Sequence, residues 1–250
     1  MGICALCKSK AQLRKSHIIP KYVVKYYKDR ASTGYLRHSD NINRRIQDGT
    51  KVKLLCEDCE NQFSVWENLF KQKVFEQAIN EDKSIFSHEH WMLKFAVSIS
   101  WRNLVFHLPV IDKNIPDDLR EYYEGAEKAW RKYLLDETTS IGQFQQHFIF
   151  LDIIKNSTIS GMPSNMNRYL SSSLDIGMMG YDVLLATYTK MINILIIGII
   201  YSKNLNQFKG TRISSGKSFV GRKNYVIPKS VVWSYCKNGK EITNSKRYSV

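Results

Sequence analysis

The chain has 250 residues, 43% of them hydrophobic and 24% charged, a composition that excludes a disordered, fibrous or disulfide-stapled protein and allows a sizeable apolar core. Its formal charge of +14 lies at the two ends: residues 1 to 75 hold 15 Lys and Arg against 7 Asp and Glu, residues 202 to 250 hold 11 against 1, and the stretch between is mildly acidic. Two basic ends point to a polyanion such as nucleic acid, because phosphates neutralised by Lys and Arg release their counterions; a membrane surface or plain solubility are the other readings of such charge.

The first element is a cysteine pair. Cys4 and Cys7 stand where the basic and apolar parts of a secretory leader would be, so no leader is expected. With Cys56 and Cys59 they make two Cys-x-x-Cys knuckles, which predict a reducing, cytoplasmic setting and a metal rather than disulfides. Each two-residue gap lets both sulfurs reach one ion, and four thiolates suit the tetrahedral coordination of a structural Zn²⁺. The 48 residues between Cys7 and Cys56 must then form a folded insert.

Within that insert Ser16-His17-Ile18-Ile19-Pro20 comes first, and Pro20 restrains Ile19 to extended backbone, which places His17 at the end of a strand or hairpin arm. Tyr22 to Tyr27 mixes apolar and aromatic residues with lysine. Residues 30 to 50 are polar, with Gly34, Asn41, Asn43 and Gly49, and read as a long functional loop made basic by Arg37, Arg44 and Arg45. From Leu54 onward a helical period emerges: Phe63, Trp66, Phe70 and Val74 share one face, Glu60, Ser64, Glu67 and Lys71 another. Cys56 and Cys59 therefore stand at a helix N-terminus.

Met92, Phe95, Ala96, Ile99, Asn103 and Phe106 trace a second helical stripe, with Ser84 or Ser87 as its N-cap. Pro116-Asp117-Asp118 opens a third helix, whose apolar face runs from Leu119 to Leu134. After about residue 138 strands take over, at Phe148 to Ile154, Tyr181 to Tyr188 and Ile192 to Tyr201, with short strands at Val226-Ile227 and Val231 to Tyr235. The uncharged run Met191 to Tyr201 has 11 residues, short of the ~20 that a spanning helix needs, so no membrane partner is expected. Gly210 to Ser218 has five residues between its glycines where a P-loop has four, and no helical pattern follows it. The basic tail, with Lys217, Arg222 and Lys223 among aromatic residues, suits phosphates and unpaired bases.

These readings predict an α+β protein, with a zinc-stapled module over residues 1–80 and a helix-plus-sheet domain over residues 81–250. The order of motifs, Cys-x-x-Cys, then His-Ile-Ile-Pro, then Leu54-Leu55-Cys56-Glu57-Asp58-Cys59 leading into a helix, resembles the HNH endonucleases of the His-Me finger superfamily over roughly residues 4 to 75. The resemblance implies a treble-clef ββα-metal module that hydrolyses phosphodiester bonds of nucleic acid, DNA foremost. His17 is then the general base toward a water, and a Mg²⁺ or Mn²⁺ ion stabilises the scissile phosphate. Histidine suits the task because its ordinary pKa of ~6.5 leaves it neutral near pH 7.

The chain departs from the HNH pattern at Ser16, where an Asp often ligates the metal, at Lys51, where Asn is frequent, and at Glu60 and Asn61, which follow the fourth cysteine in place of His or Asn. Because a hard divalent ion takes oxygen ligands, Glu60, Asn61, Asp48 and Glu67 are the expected replacements, in that order. Two further readings stand beside the enzyme: a zinc module that binds nucleic acid or protein without catalysis, and an effector whose residues 81–250 hold the nuclease inactive until a regulatory partner or ligand binds.

Overall fold

Short antiparallel pairings and one helix make up the first 55 residues of the computed structural model, which describes residues 1–38, 41–81, 83–111, 116–151, 166–181, 183–221 and 231. Strands β1 (Gly2–Ile3) and β2 (Lys10–Ala11) flank the first knuckle, whose turn closes with Lys8 at φ 63°. Strand β3 (Arg14–His17) ends at His17, as expected, and Pro20, at φ −52° and ψ 138°, stands at the N-cap of α1 (Lys21–Arg30). The stretch from 30 to 50, expected as a loop, instead carries a hairpin of β4 (Leu36–His38) and β5 (Asn41–Ile46), with Leu36 opposite Ile46 and Arg37 opposite Arg45. Leu36, Ile42 and Ile46 are too few among arginine and asparagine to show a strand period in the sequence.

Strand β6 (Lys51–Leu55) returns antiparallel to β3, placing His17 opposite Lys51 and Ser16 opposite Val52. Helix α2 (Glu57–Phe70) starts straight from Cys56, and Glu57, Asp58 and Glu60 in its first turn complement the positive helix end. Phe63, Trp66 and Phe70 are buried, as their period requires. A π-helical turn, Lys71–Phe75, then widens the chain before α3 (Glu76–Asn80).

The second expected helix is α4 (His90–Ile111), but Ser84 and Ser87 do not cap it: residues Ile85–His88 form strand β7. Helix α5 (Asp117–Leu134) follows Pro116 as predicted and packs on α4. Beyond it come β8 (Gln146–Phe150), α6 (Met166–Ser172), β9 (Leu174–Tyr181), β10 (Leu184–Met191), β11 (Ile194–Ser202) and β12 (Ser218–Gly221), which pairs with β7. Four of these strands make one antiparallel sheet in the order β8-β11-β10-β9. Every residue of α4 from Trp91 to Leu104 is buried, because the helix lies between α2 and that sheet. The approach is close: a Cβ added at Gly198 of β11 would lie 2.6 Å from Ser100 Oγ.

The chain is thus a mixed α+β protein. Among its described residues no helix is long and apolar enough to cross a membrane. Arg222, Lys223 and the strands expected at Val226-Ile227 and beyond Val231 lie outside the described residues.

An apolar core extends from Cys4 and Leu55 through Phe63, Phe70, Phe95, Trp101 and Trp130 to Ile196 on the sheet, and a second cluster around Ile149, Ile197 and Phe208 covers the sheet's other face. Phe70 of α2 stacks on Phe95 of α4 with ring centroids 4.0 Å apart, both fully buried. Phe70→Ala removes that contact and leaves a cavity, so urea denaturation should show a loss of ~3–5 kcal/mol.

Candidate metal centre and histidine site

The sulfurs of Cys4, Cys7, Cys56 and Cys59 all lie within 4.8 Å of one another. Cys7 Sγ and Cys56 Sγ are 3.7 Å apart, against the roughly 3.8 Å that a tetrahedral ion with Zn–S bonds of about 2.3 Å sets between sulfurs. The Cys56 backbone N–H donates to Cys4 Sγ at 3.3 Å, and Ala5 N–H donates to Leu54 O at 2.9 Å, so the knuckles are joined through backbone as well. Burial, then the neighbouring thiols, push the Cys59 thiol far up; burial raises Cys4 too. At Cys7 burial also raises the thiol, but hydrogen bonds with Ser9 outweigh it and bring it to about 6. Crowded thiols ionise poorly without a cation, and a Zn²⁺ supplies the charge that thiolates need. The donor set fits a metal such as zinc.

Cys56→Ser removes one sulfur from the group that ties the start of α2 to the first knuckle. Metal analysis should show bound zinc falling from one per chain toward none, and far-UV circular dichroism should show lost helix.

Consecutive residues of a strand face opposite ways, and at Ser16 and His17 this separates two clusters. Ser16 is fully buried and donates its hydroxyl to Glu60 Oε2 of α2 at 2.5 Å. His17 turns the other way, with Nε2 3.0 Å from Asp48 Oδ1. The same oxygen accepts from Gly49 N–H at 2.8 Å, while Asp48 Oδ2 holds Lys51 Nζ at 2.5 Å. Partial burial raises the Asp48 acid, but the bonds from Lys51, His17 and Gly49 outweigh it and hold it at about 2. The ionised carboxylate accepts a hydrogen bond from Nε2–H, the tautomer whose neutral ring carries its lone pair on Nδ1.

Helix α4 fixes this strand from behind. Arg102, 1% exposed, donates through Nη1 to the His17 carbonyl at 2.8 Å, through Nη2 to Glu67 Oε1 at 2.6 Å and through Nε to Ser98 O at 3.3 Å.

Of the expected ligands, then, Asp48 joins His17, Glu60 joins Ser16 on the other face, and Glu67 is engaged by Arg102. Asn61 is exposed on α2 and belongs to neither cluster. Among the described residues the four cysteines are the only group of three or more His, Cys, Asp or Glu whose ligand atoms converge. A catalytic Mg²⁺ or Mn²⁺ ion is held by one or two carboxylates, with waters and substrate phosphate completing its octahedron, and among the described residues these acids do not converge on one place: the Asp48 oxygens are engaged by His17, Gly49 and Lys51, and Glu60 lies with Ser16 on the opposite face. Arg37, Arg44 and Arg45 are exposed on the β4–β5 hairpin, with the Arg45 guanidinium 5.2 Å above the Tyr35 ring. Lys217 is elsewhere, with Lys73 and Lys83 around a cavity of about 240 Å³.

Sequence reasoning passed over two residues of the site. Lys51 was legible only as a departure from a pattern, although its place three residues after Asp48 allows the pairing. Arg102 is the one arginine in the apolar run from Trp91 to Leu104, and a charge in such a run signals a buried partner. Compared with protein-family models, curated proteins and solved structures, the chain matches none.

Asp48 is held below its ordinary 3.8, so its ion pairs stabilise the fold above about pH 4, and that stability is lost as pH falls through about 2. Asp48→Asn cannot titrate. Its urea midpoint should therefore fall less than that of the wild type between pH 4 and pH 2.

Proposed function

We propose that this chain is a zinc-stapled nuclease that cleaves the phosphodiester backbone of nucleic acid, with His17 as general base and Asp48 as the residue that orients it. The observation that carries the reading is the contact of His17 Nε2 with an ionised Asp48, 31 residues away in the sequence. A carboxylate there selects the tautomer with a free Nδ1 and stabilises the ring once it has taken a proton, which is what a base that must bind and release protons near pH 7 requires. The four-cysteine group is structural in this reading, since four sulfurs leave no open position for a substrate. It holds the ends of β3 and β6 in register. Lys51 and the arginines of the β4–β5 hairpin supply positive charge for phosphate.

The resemblance of the motif order to HNH endonucleases supports the assignment of the base. It also implies a divalent ion, which the disposition of Asp48, Glu60 and Glu67 does not support. A zinc module that binds nucleic acid without cutting it is the second reading, favoured by the same cysteines and arginines, which need no catalysis to be useful.

His17→Ala separates the two. Cleavage of DNA and RNA substrates, measured with and without Mg²⁺ or Mn²⁺, should fall by ~10²–10⁴-fold while bound zinc and nucleic-acid affinity stay at wild-type levels. A wild-type chain that binds but cuts neither polymer under any of these conditions has the second function.

A further inference from the structure

The acids near His17 are placed for something other than ligating a cation. Asp48 carries His17 and Gly49 N–H on one oxygen and Lys51 on the other. Glu60 accepts from buried Ser16 on the opposite face of the strand, and Glu67 is paired with Arg102, whose side chain is almost wholly buried. What faces the same side as His17 is a cation that belongs to the protein: Lys51 is directly across the β3–β6 pair, and the two side chains meet on one carboxylate.

A base and a single ammonium do not make water a strong nucleophile, which is what a metal-bound hydroxide supplies in most phosphodiesterases. RNA removes that need. Its 2′-hydroxyl lies beside the phosphorus it attacks, and intramolecular attack of this kind has an effective molarity of roughly 10⁵–10⁸ M. DNA has no such group.

We propose, building on the reading of His17 as a general base, that the His17–Asp48–Lys51 group cleaves RNA by using the ribose 2′-hydroxyl as nucleophile, with no divalent ion taking part. His17 Nδ1 takes the proton of the 2′-hydroxyl as that oxygen bonds to phosphorus. The bond from phosphorus to the 5′-oxygen breaks, and the departing oxygen takes a proton from solvent water. His17 returns its proton to the hydroxide so formed. One product ends in a 2′,3′-cyclic phosphate and the other begins with a 5′-hydroxyl, and nothing is oxidised or reduced. Lys51 stabilises the charge that builds on the phosphoryl oxygens, a role whose removal costs about 10²–10³-fold where it has been dissected elsewhere. Asp48 remains a positioning residue.

The hairpin in the same insert suits this substrate. Arg37 and Arg45 stand opposite each other across β4 and β5, both exposed, and place two cations side by side on the hairpin, where they can track phosphates. Arg45 also lies over Tyr35, and aromatic and guanidinium planes are the surfaces on which unpaired bases stack.

The test uses the full-length zinc-loaded chain, a single-stranded RNA, the DNA of the same sequence, and the RNA with one 2′-deoxy substitution, in buffer freed of Mg²⁺ and Mn²⁺ and with bound zinc measured before and after. Cutting of the RNA, product ends identified by mass spectrometry as 2′,3′-cyclic phosphate, no cut after the 2′-deoxy position and no cut in DNA are the expected results. Lys51→Ala should slow the reaction by about 10²-fold and Lys51→Arg should recover part of it. Cleavage that needs Mg²⁺ or Mn²⁺, that proceeds equally on DNA, or that leaves 3′-hydroxyl ends overturns this proposal; if that cleavage is lost in His17→Ala, the nuclease assignment itself stands. Absence of cutting on every substrate in every buffer overturns both.

Discussion

Four sulfurs that meet within 4.8 Å bring together two segments about fifty residues apart, and the geometry of the N-terminal region follows from that closure. The first knuckle leads into β3 and the second continues from β6 into α2, so joining the knuckles forces β3 and β6 side by side. Their register then decides that His17 looks across at Lys51. A loop of this length is entropically costly to close, with the cost growing only slowly as loops lengthen, so an insert holding α1 and a hairpin adds little to the penalty that the four-cysteine group must offset.

Arg102 is the second tie. A guanidinium that is 1% exposed survives in an apolar interior only with its donors satisfied, and it finds a carboxylate on α2 and the His17 carbonyl on β3 at once. Its neighbour Asn103 donates to Gly177 O and Tyr188 O on the sheet at 3.2 and 2.6 Å. Two adjacent residues of α4 thus bond in opposite directions, one to the histidine strand and one to β9 and β10. Polar groups buried at such a junction specify how helix, hairpin and sheet are set against each other, since any shift leaves several of them unsatisfied.

Strand alternation sorts the polar side chains around His17 into two clusters. Ser16, the residue before His17, points inward to a carboxylate of α2. Serine plus Glu60 occupies the inner face with a neutral donor and an acid, whereas the outer face collects a base, an acid and an ammonium. The same one-residue step that separates the faces leaves His17 with a protein cation as its cross-strand neighbour.

Much of this was legible in the residues themselves. The period of Phe63, Trp66 and Phe70 specifies α2, Pro116 marks the start of α5, and the β-branched runs after residue 138 specify strands, because each of these signals acts within a turn or two of the chain; the two Cys-x-x-Cys pairs, far apart in sequence, are linked by the tetrahedral demand of a single ion. His17 stood out through its motif, and Asp48 was named among several acids. Which acid meets the histidine, and that Lys51 shares it, only the tertiary structure decided. Partners separated by 31 or 85 residues, as Asp48 and Arg102 are from His17, depend on the register of β3 with β6 and on the path of α4 across them, and no local period carries that information.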